Sequence, residues 1–201
     1  VRKYLPRKGK RPKFYGLQGA SASRIPNRND IKNRPKEVEK KDRCGDWESD
    51  LVVSGRRGSG AVATFVERYS KYFQAVLVTD QTADEMVRAA TEVFTVVPDE
   101  YRLTMTHDNG SEIAKHEAIT AAVGIVVYCA EPYRSGQRGL NENTNGMLRR
   151  YFPKGTDFST ISQKEIAEAV EKINNLPRRS LNYLTSEEVF RWKIKDYAFQ
   201  G

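Results

Sequence analysis

Polar and apolar positions along this 201-residue chain fall into blocks of two different periods. Residues 46–53, DWESDLVV, alternate and then turn apolar, which predicts a strand entering a sheet. At a period of two, Asp46, Glu48 and Asp50 share one face, and Trp47, Ser49 and Leu51 share the other. SGRRGSG, residues 54–60, reads as a hairpin-type loop. AVATFVE (61–67) and YFQAVLV (72–78) predict two more strands joined by a tight turn, and the three make an antiparallel meander.

The period then changes to that of a helix. Thr82 and Glu85 have the spacing of a capping box, and Met86, Ala89, Ala90, Val93, Phe94 and Val97 form one apolar stripe that Pro98 ends. RLTMTHD (102–108) predicts a fourth strand that returns after a helical crossover and so lies parallel to one of the first three. It stops at the turn signal Asn109-Gly110. A helical segment over 112–122 and a fifth strand over 125–130 follow. From Leu140 the chain turns helical again, with Leu140, Met147, Leu148 and Tyr151 on one face and Glu142, Asn145, Gly146 and Arg149 on another. Two more helices open at Ser162 and Thr185, each with Glu three residues on. The order βββ-α-β-α-β-α-α-α predicts one α/β domain with a mixed five-stranded sheet flanked by helices.

Charge alters this picture at the N-terminus. Residues 1–41 carry a net charge of +11 and residues 42–201 a net of −3. The first segment, with Pro6, Pro12, Pro26 and Pro35, reads as a basic, extended or disordered arm, and a domain with a helical C-terminal tail is expected over 42–201. After Pro35 a short turn of helix is possible. A concentrated basic arm points to a polyanionic partner, most often nucleic acid, against the plainer reading of a solubilising tail. No apolar run approaches the roughly 20 residues that cross a bilayer. Cys44 and Cys129 make neither a disulfide framework nor a CxxC pair, and a reducing cytoplasm is the default. His107 and His116 have no cysteine partner at zinc-finger spacing; the first reads as a core or hydrogen-bonding residue and the second as surface.

Three acids stand where chemistry gathers in open α/β sheets, beyond the carboxyl ends of strands. Asp50 lies in the first strand, Asp108 at the end of the fourth, and Glu142 on the helix after the fifth. Singly, each has a plain alternative: a solvated strand residue, a turn-former, a surface acid. Together they form a cluster that a hard divalent cation, chiefly magnesium, would neutralise, since magnesium takes oxygen ligands and this chain has few His and Cys. Two such ions about 3.5–4 Å apart could clamp the oxygens of an in-line phosphoryl transfer.

GDWESDLVV, THDNGSE and RGLNENTNGMLRRYFPKGTD resemble the three acidic motifs of the DDE transposase and retroviral-integrase superfamily. NENTNG followed by YFPKGTD is similar to the bacterial insertion-sequence-thirty family, as are the 33 residues between Asp108 and Glu142. The likeness spans roughly residues 26–192.

It implies a ribonuclease-H-like fold with Asp50, Asp108 and Glu142 as metal-binding catalytic triad, two Mg2+ or Mn2+ ions, and cutting of DNA at transposon ends followed by strand transfer into target DNA. The alternatives are a ribonuclease-H-like nuclease that never joins and a DNA-binding module without catalysis. Partners implied are transposon-end and target DNA and further copies of the chain, at least a dimer on DNA, in a bacterial, nucleoid-associated setting with no membrane. Asp46 or Glu48 could be an auxiliary ligand. Arg134, Gln137, Arg138, Asn141, Asn145, Arg149 and Lys154 surround Glu142 as candidate DNA contacts, with Arg56 and Arg57 as weaker ones. The chain departs from the family's pattern at Ser49, where Gly is usual, and at Gly136, where Trp often precedes QRG. Residues 1–41 offer no counterpart of the family's N-terminal helix-turn-helix domain, as expected of the catalytic part of a longer protein. Without metal, Glu142 is expected to stand off from the two aspartates.

Overall fold

A computed structural model describes residues 25–56, 58–131 and 139–198, with side chains to residue 194. Strands β1 (Asp46–Val53), β2 (Ala61–Glu67) and β3 (Phe73–Val78) form the expected meander. Helix α2 (Ala83–Phe94) crosses over to β4 (Thr104–His107), and α3 (His116–Val123) to β5 (Val126–Cys129). Helices α4 (Gly139–Tyr151), α5 (Gln163–Asn174) and α6 (Ser186–Ala198) follow. The sheet runs β3-β2-β1-β4-β5, with the first two pairings antiparallel and the last two parallel. This is the mixed five-stranded sheet that the pattern predicts. Among the described residues no helix is long and apolar enough to cross a membrane.

Alternation along the strands splits the core into two layers. Odd residues of β1 and β2, Trp47, Ala61, Ala63 and Phe65, pack with Met105, Phe94 and Phe190 beneath α2, α3 and α6. Trp47 meets Phe94 and Phe190 edge-on at 5.0 and 5.8 Å, and its indole N–H donates to the Tyr101 carbonyl. Even residues, Val52, Val62 and Val66, pack with Leu148, Phe152, Phe158, Ile166 and Ile173 beneath α4 and α5. Thus Asp46, Glu48 and Asp50 face the α4 side. On α4 itself the buried line is Asn141, Thr144 and Leu148, with Leu140 and Met147 at its margin. Tyr151 is exposed, which corrects the apolar stripe: polar Asn141 and Thr144, rather than Tyr151, meet the sheet.

The arm is corrected over its described half. Residues 25–41 are extended but docked on the body: Ile25, Ile31 and Val38 are buried, and Asp30 bridges to Cys129 beside β5. The Arg34 guanidinium is buried against Thr106 Oγ1 at 2.6 Å and against Glu39. The expected turn of helix is α1 (Glu37–Lys40). These three anchors are too far apart to show a period, so the sequence pattern hides them. Residues 1–24 lie outside the described residues.

Candidate active site

The parallel pairing of β1 with β4 builds the site. Asp46 is level with Thr104 and Glu48 with Thr106; Asp50 lies two residues beyond the last of these pairs on β1, and Asp108 two residues beyond it on the β4 side. Parallel strands turn the same residues to the same face. On the opposite face, directly before the two aspartates, Ser49 and His107 meet at 2.8 Å between Oγ and Nδ1. His107 is buried, and its Nε2 lies 3.2 Å from Glu112 Oε1 and 3.4 Å from Asp108 Oδ1. Ionised carboxylates only accept, so Nε2 carries a proton toward them, while Nδ1 and the Ser49 hydroxyl share the second hydrogen bond. The serine that replaces the usual glycine therefore ties the two strands together beneath the candidate acids. His107 has the hydrogen-bonding role read from the sequence. His116 is buried rather than surface, with Nε2 3.0 Å from the Pro26 carbonyl.

The acids along β1 have different partners. Asp46 accepts from Arg43 at 2.7 Å and from Thr104 Oγ1 at 2.7 Å, and Arg43 is held charged by that bond. Glu48 is buried; one oxygen pairs with buried Arg68 at 2.6 Å and the other accepts the Asn141 backbone N–H at 2.9 Å. Both carboxylates are spent, so neither offers an open auxiliary ligand. Asp50 is half-buried at the strand's rim, with Oδ2 2.9 Å from Asn145 Nδ2 and Oδ1 accepting the Leu51 N–H at 3.0 Å. Asp108 follows β4, is part-exposed, and accepts the Gly110 N–H at 2.9 Å, so it also forms the turn.

Glu142 is exposed in the first turn of α4, one residue after the Asn141 N–H that Glu48 holds. The triad is not drawn into one knot. Among the described residues, the acids and histidine whose ligand atoms lie within 4.8 Å of one another are His107, Asp108 and Glu112. Oxygen donors from Asp50, Asp108 and Glu142 suit a hard divalent cation.

The candidate DNA contacts separate. Arg134, Gln137, Arg138, Gly136 and Arg57 lie outside the described residues. Asn141 is fully buried, and its side-chain oxygen is 3.4 Å from Thr64 Oγ1. Asn145 is bonded to Asp50, and Arg149 donates to the Val53 carbonyl at 2.7 Å with its guanidinium 5.5 Å from the Phe158 ring centre. These three therefore hold the site together instead of facing a ligand. Lys154 and Arg56 are exposed.

The reading from sequence missed the use of the GTD motif. Gly55 and Gly155 touch backbone to backbone: a Cβ on Gly55 would stand 2.6 Å from Gly155 Cα. The Gly55 N–H donates to Thr156 and the Ser59 N–H to Asp157. Two glycine-bearing loops far apart in sequence thus lock together beside the end of β1; the small residues were visible, their pairing was not.

Residues 43–135 match the protein family described as the integrase core domain. The transposase for insertion sequence element IS4351 of Bacteroides fragilis is 40% identical over 191 residues, 95% of this chain and 58% of that protein. Transposase InsI for IS30A of Escherichia coli K12 is 36% identical over 188 residues, 94% of this chain and 48% of that protein. The chain is similar to integrase-core transposases of the insertion-sequence-thirty kind. It spans about half the length of these relatives. The catalytic core domain of BIV integrase superposes with a TM-score of 0.60 at 17% identity, covering 77% of this chain and 99% of that domain. A chain of the simian T-cell lymphotropic virus intasome does so with a TM-score of 0.59 at 19% identity, covering 71% and 52%. The fold is accordingly ribonuclease-H-like.

Proposed function

We propose that residues 42–201 form the catalytic domain of a DDE-type transposase, with Asp50, Asp108 and Glu142 as its acids. Magnesium or manganese, two ions per site, is the cofactor. The observation that supports this reading is the parallel β1–β4 register, from which Asp50 and Asp108 each follow by two residues, with the helix that bears Glu142 tied to β1 by Glu48 and Asn145.

In this reading the rims of β1 and β4 present carboxylate oxygens to the reacting phosphate, and α4 brings Glu142 over them. Bound divalent metal would supply Lewis-acid stabilisation of the attacking and leaving oxygens. Asn145 fixes the rotamer of Asp50, and the Ser49–His107 bond fixes the spacing of the two strand ends. Water attacks phosphorus at the transposon end and the 3′ oxygen leaves, giving a 3′-hydroxyl. That hydroxyl then attacks a target phosphodiester and displaces the target's 3′ oxygen. No covalent protein–DNA intermediate is needed. Transposon-end and target DNA are the substrates, and copies of the chain assemble at least as a dimer across them in a bacterial, nucleoid-associated setting.

The test is incubation of the full-length parent protein with labelled transposon-end DNA and a target plasmid in magnesium or manganese. Joined product that disappears in Glu142→Gln supports the reading. Cleavage without joining favours a simple nuclease, and no metal-dependent product at all overturns both.

A further inference from the structure

At the opposite end of β1 from Asp50, the β2–β3 turn, the end of α1 and the start of α6 enclose an open cavity of about 460 Å³. Lys41, Lys71 and Lys193 line it from three separate elements, with Arg68 and Tyr69 beside them and no Asp or Glu among its lining residues. Lys71 and Lys193 come from the segment 42–201, whose net charge is −3, and Lys41 from the basic segment before it. The Lys71 ammonium is depressed by burial and then by Arg178 and Lys41, which marks a cation-crowded place.

Two further observations come from backbone and surface. Lys41, Lys71 and Asn182, all lining the cavity, have φ of +56°, +62° and +53°, a left-handed conformation uncommon outside glycine. Lys41 and Asn182 end the helical turns Glu37–Lys40 and Arg179–Leu181 in that conformation, and Lys71 lies in the β2–β3 turn, so three chain reversals bring these side chains to one cavity. Trp192 also lines the cavity and is 63% exposed, whereas Trp47, the chain's other tryptophan, is fully buried. An exposed indole among lysines has the chemistry of a single-strand nucleic-acid surface, where phosphates meet cations and bases meet aromatic faces. The chain's own residues 1–24 contain Lys and Arg but no Asp or Glu, so their charge does not complement it.

We propose that this cavity is a second DNA-contact site, distinct from the carboxylates, that takes the phosphodiester of a strand on Lys41, Lys71 and Lys193 with a base or sugar against Trp192. It rests on the reading of the protein as a DNA-acting enzyme and concerns a different surface.

The test is tryptophan fluorescence of the full chain titrated with single-stranded oligonucleotide in EDTA, which separates this site from metal-dependent chemistry. Because Trp47 is buried, quenching reports Trp192. Quenching is expected in the unaltered protein and in Glu142→Gln. Lys41→Gln/Lys71→Gln/Lys193→Gln should weaken the quenching transition about tenfold or more, and lower the slope of log K against log salt by about 2. Lysine acylation footprinting of the unaltered protein gives the same answer without a variant: DNA should shield Lys41, Lys71 and Lys193. DNA binding by anisotropy without quenching or shielding overturns the site. Equal quenching by polyglutamate, or unchanged affinity in the triple variant, overturns its assignment to DNA. Strand transfer in the preceding assay is read separately, so failure of one claim does not count as failure of the other.

Discussion

Glu48 is the residue whose role the linear pattern least suggested. Its alternation with Asp46 and Asp50 made it resemble one of a row of ligands. Burial decides otherwise, because the carboxylate is enclosed, with one oxygen on Arg68 and the other on a backbone N–H. Removing one partner of a buried pair strands the other, at about 3–5 kcal/mol. Glu48→Ala should therefore lower the urea-denaturation free energy by that order, while Glu48→Leu/Arg68→Leu should lose much less. The double variant should still lose strand transfer, because the Asn141 N–H that begins α4 loses its acceptor. Full activity in the folded double variant would contradict the positioning role. Asn141, Asn145 and Arg149 teach the same lesson: polar residues beside a candidate acid looked like ligand contacts, and three-dimensional packing makes them braces.

At the scale of elements, the strands and helices were legible because each carries a clean period, and boundaries differ by a residue or two except at the end of α2, which stops at Phe94 rather than before Pro98, and at the start of α3. The helix over 112–122 starts as a 3-10 turn, Ser111–Ile113, before α3, since Glu112 reaches back toward His107. The capping boxes at Ser162 and Thr185 are complete. At α2 only half forms: Thr82 accepts the Glu85 N–H, but the Glu85 carboxylate turns to the Thr79 N–H and Arg88. Those bonds, Arg88 first, pull Glu85 down to about 2 from 4.5. A lowered carboxyl stabilises the fold above its unfolded value, and that contribution is lost as pH falls toward 2. Glu85→Gln should flatten the fall in melting temperature between those pH values; an unchanged pH profile would show that the bonds contribute nothing. The locked loops give a second outcome. Gly55→Ala drives a methyl into the Gly155 backbone and should cost about 1–3 kcal/mol in thermal denaturation. The same change at Gly124, where nothing lies within 4 Å but φ is +75°, tests backbone strain instead of crowding.

For the whole molecule, a mixed sheet with a fourth strand parallel to one of the first three could be argued from crossover rules, the choice of β1 came from the structure, and motif resemblance carried the three acids. What could not be read is long-range and polar: the docking of Ile25, Ile31 and Val38, the Ser49–His107 tie, the Glu48 anchor of α4, and the basic cavity beyond β1. Each joins residues far apart in sequence through one or two atoms, which leaves no periodic trace. The central claim is that Asp50 binds the metal used in phosphoryl transfer. Its most direct measurement is strand transfer by Asp50→Cys in the full-length parent, since a thiolate suits manganese better than magnesium. The account predicts no joined product in magnesium and recovered product in manganese. Joining in magnesium at the unaltered rate would contradict it.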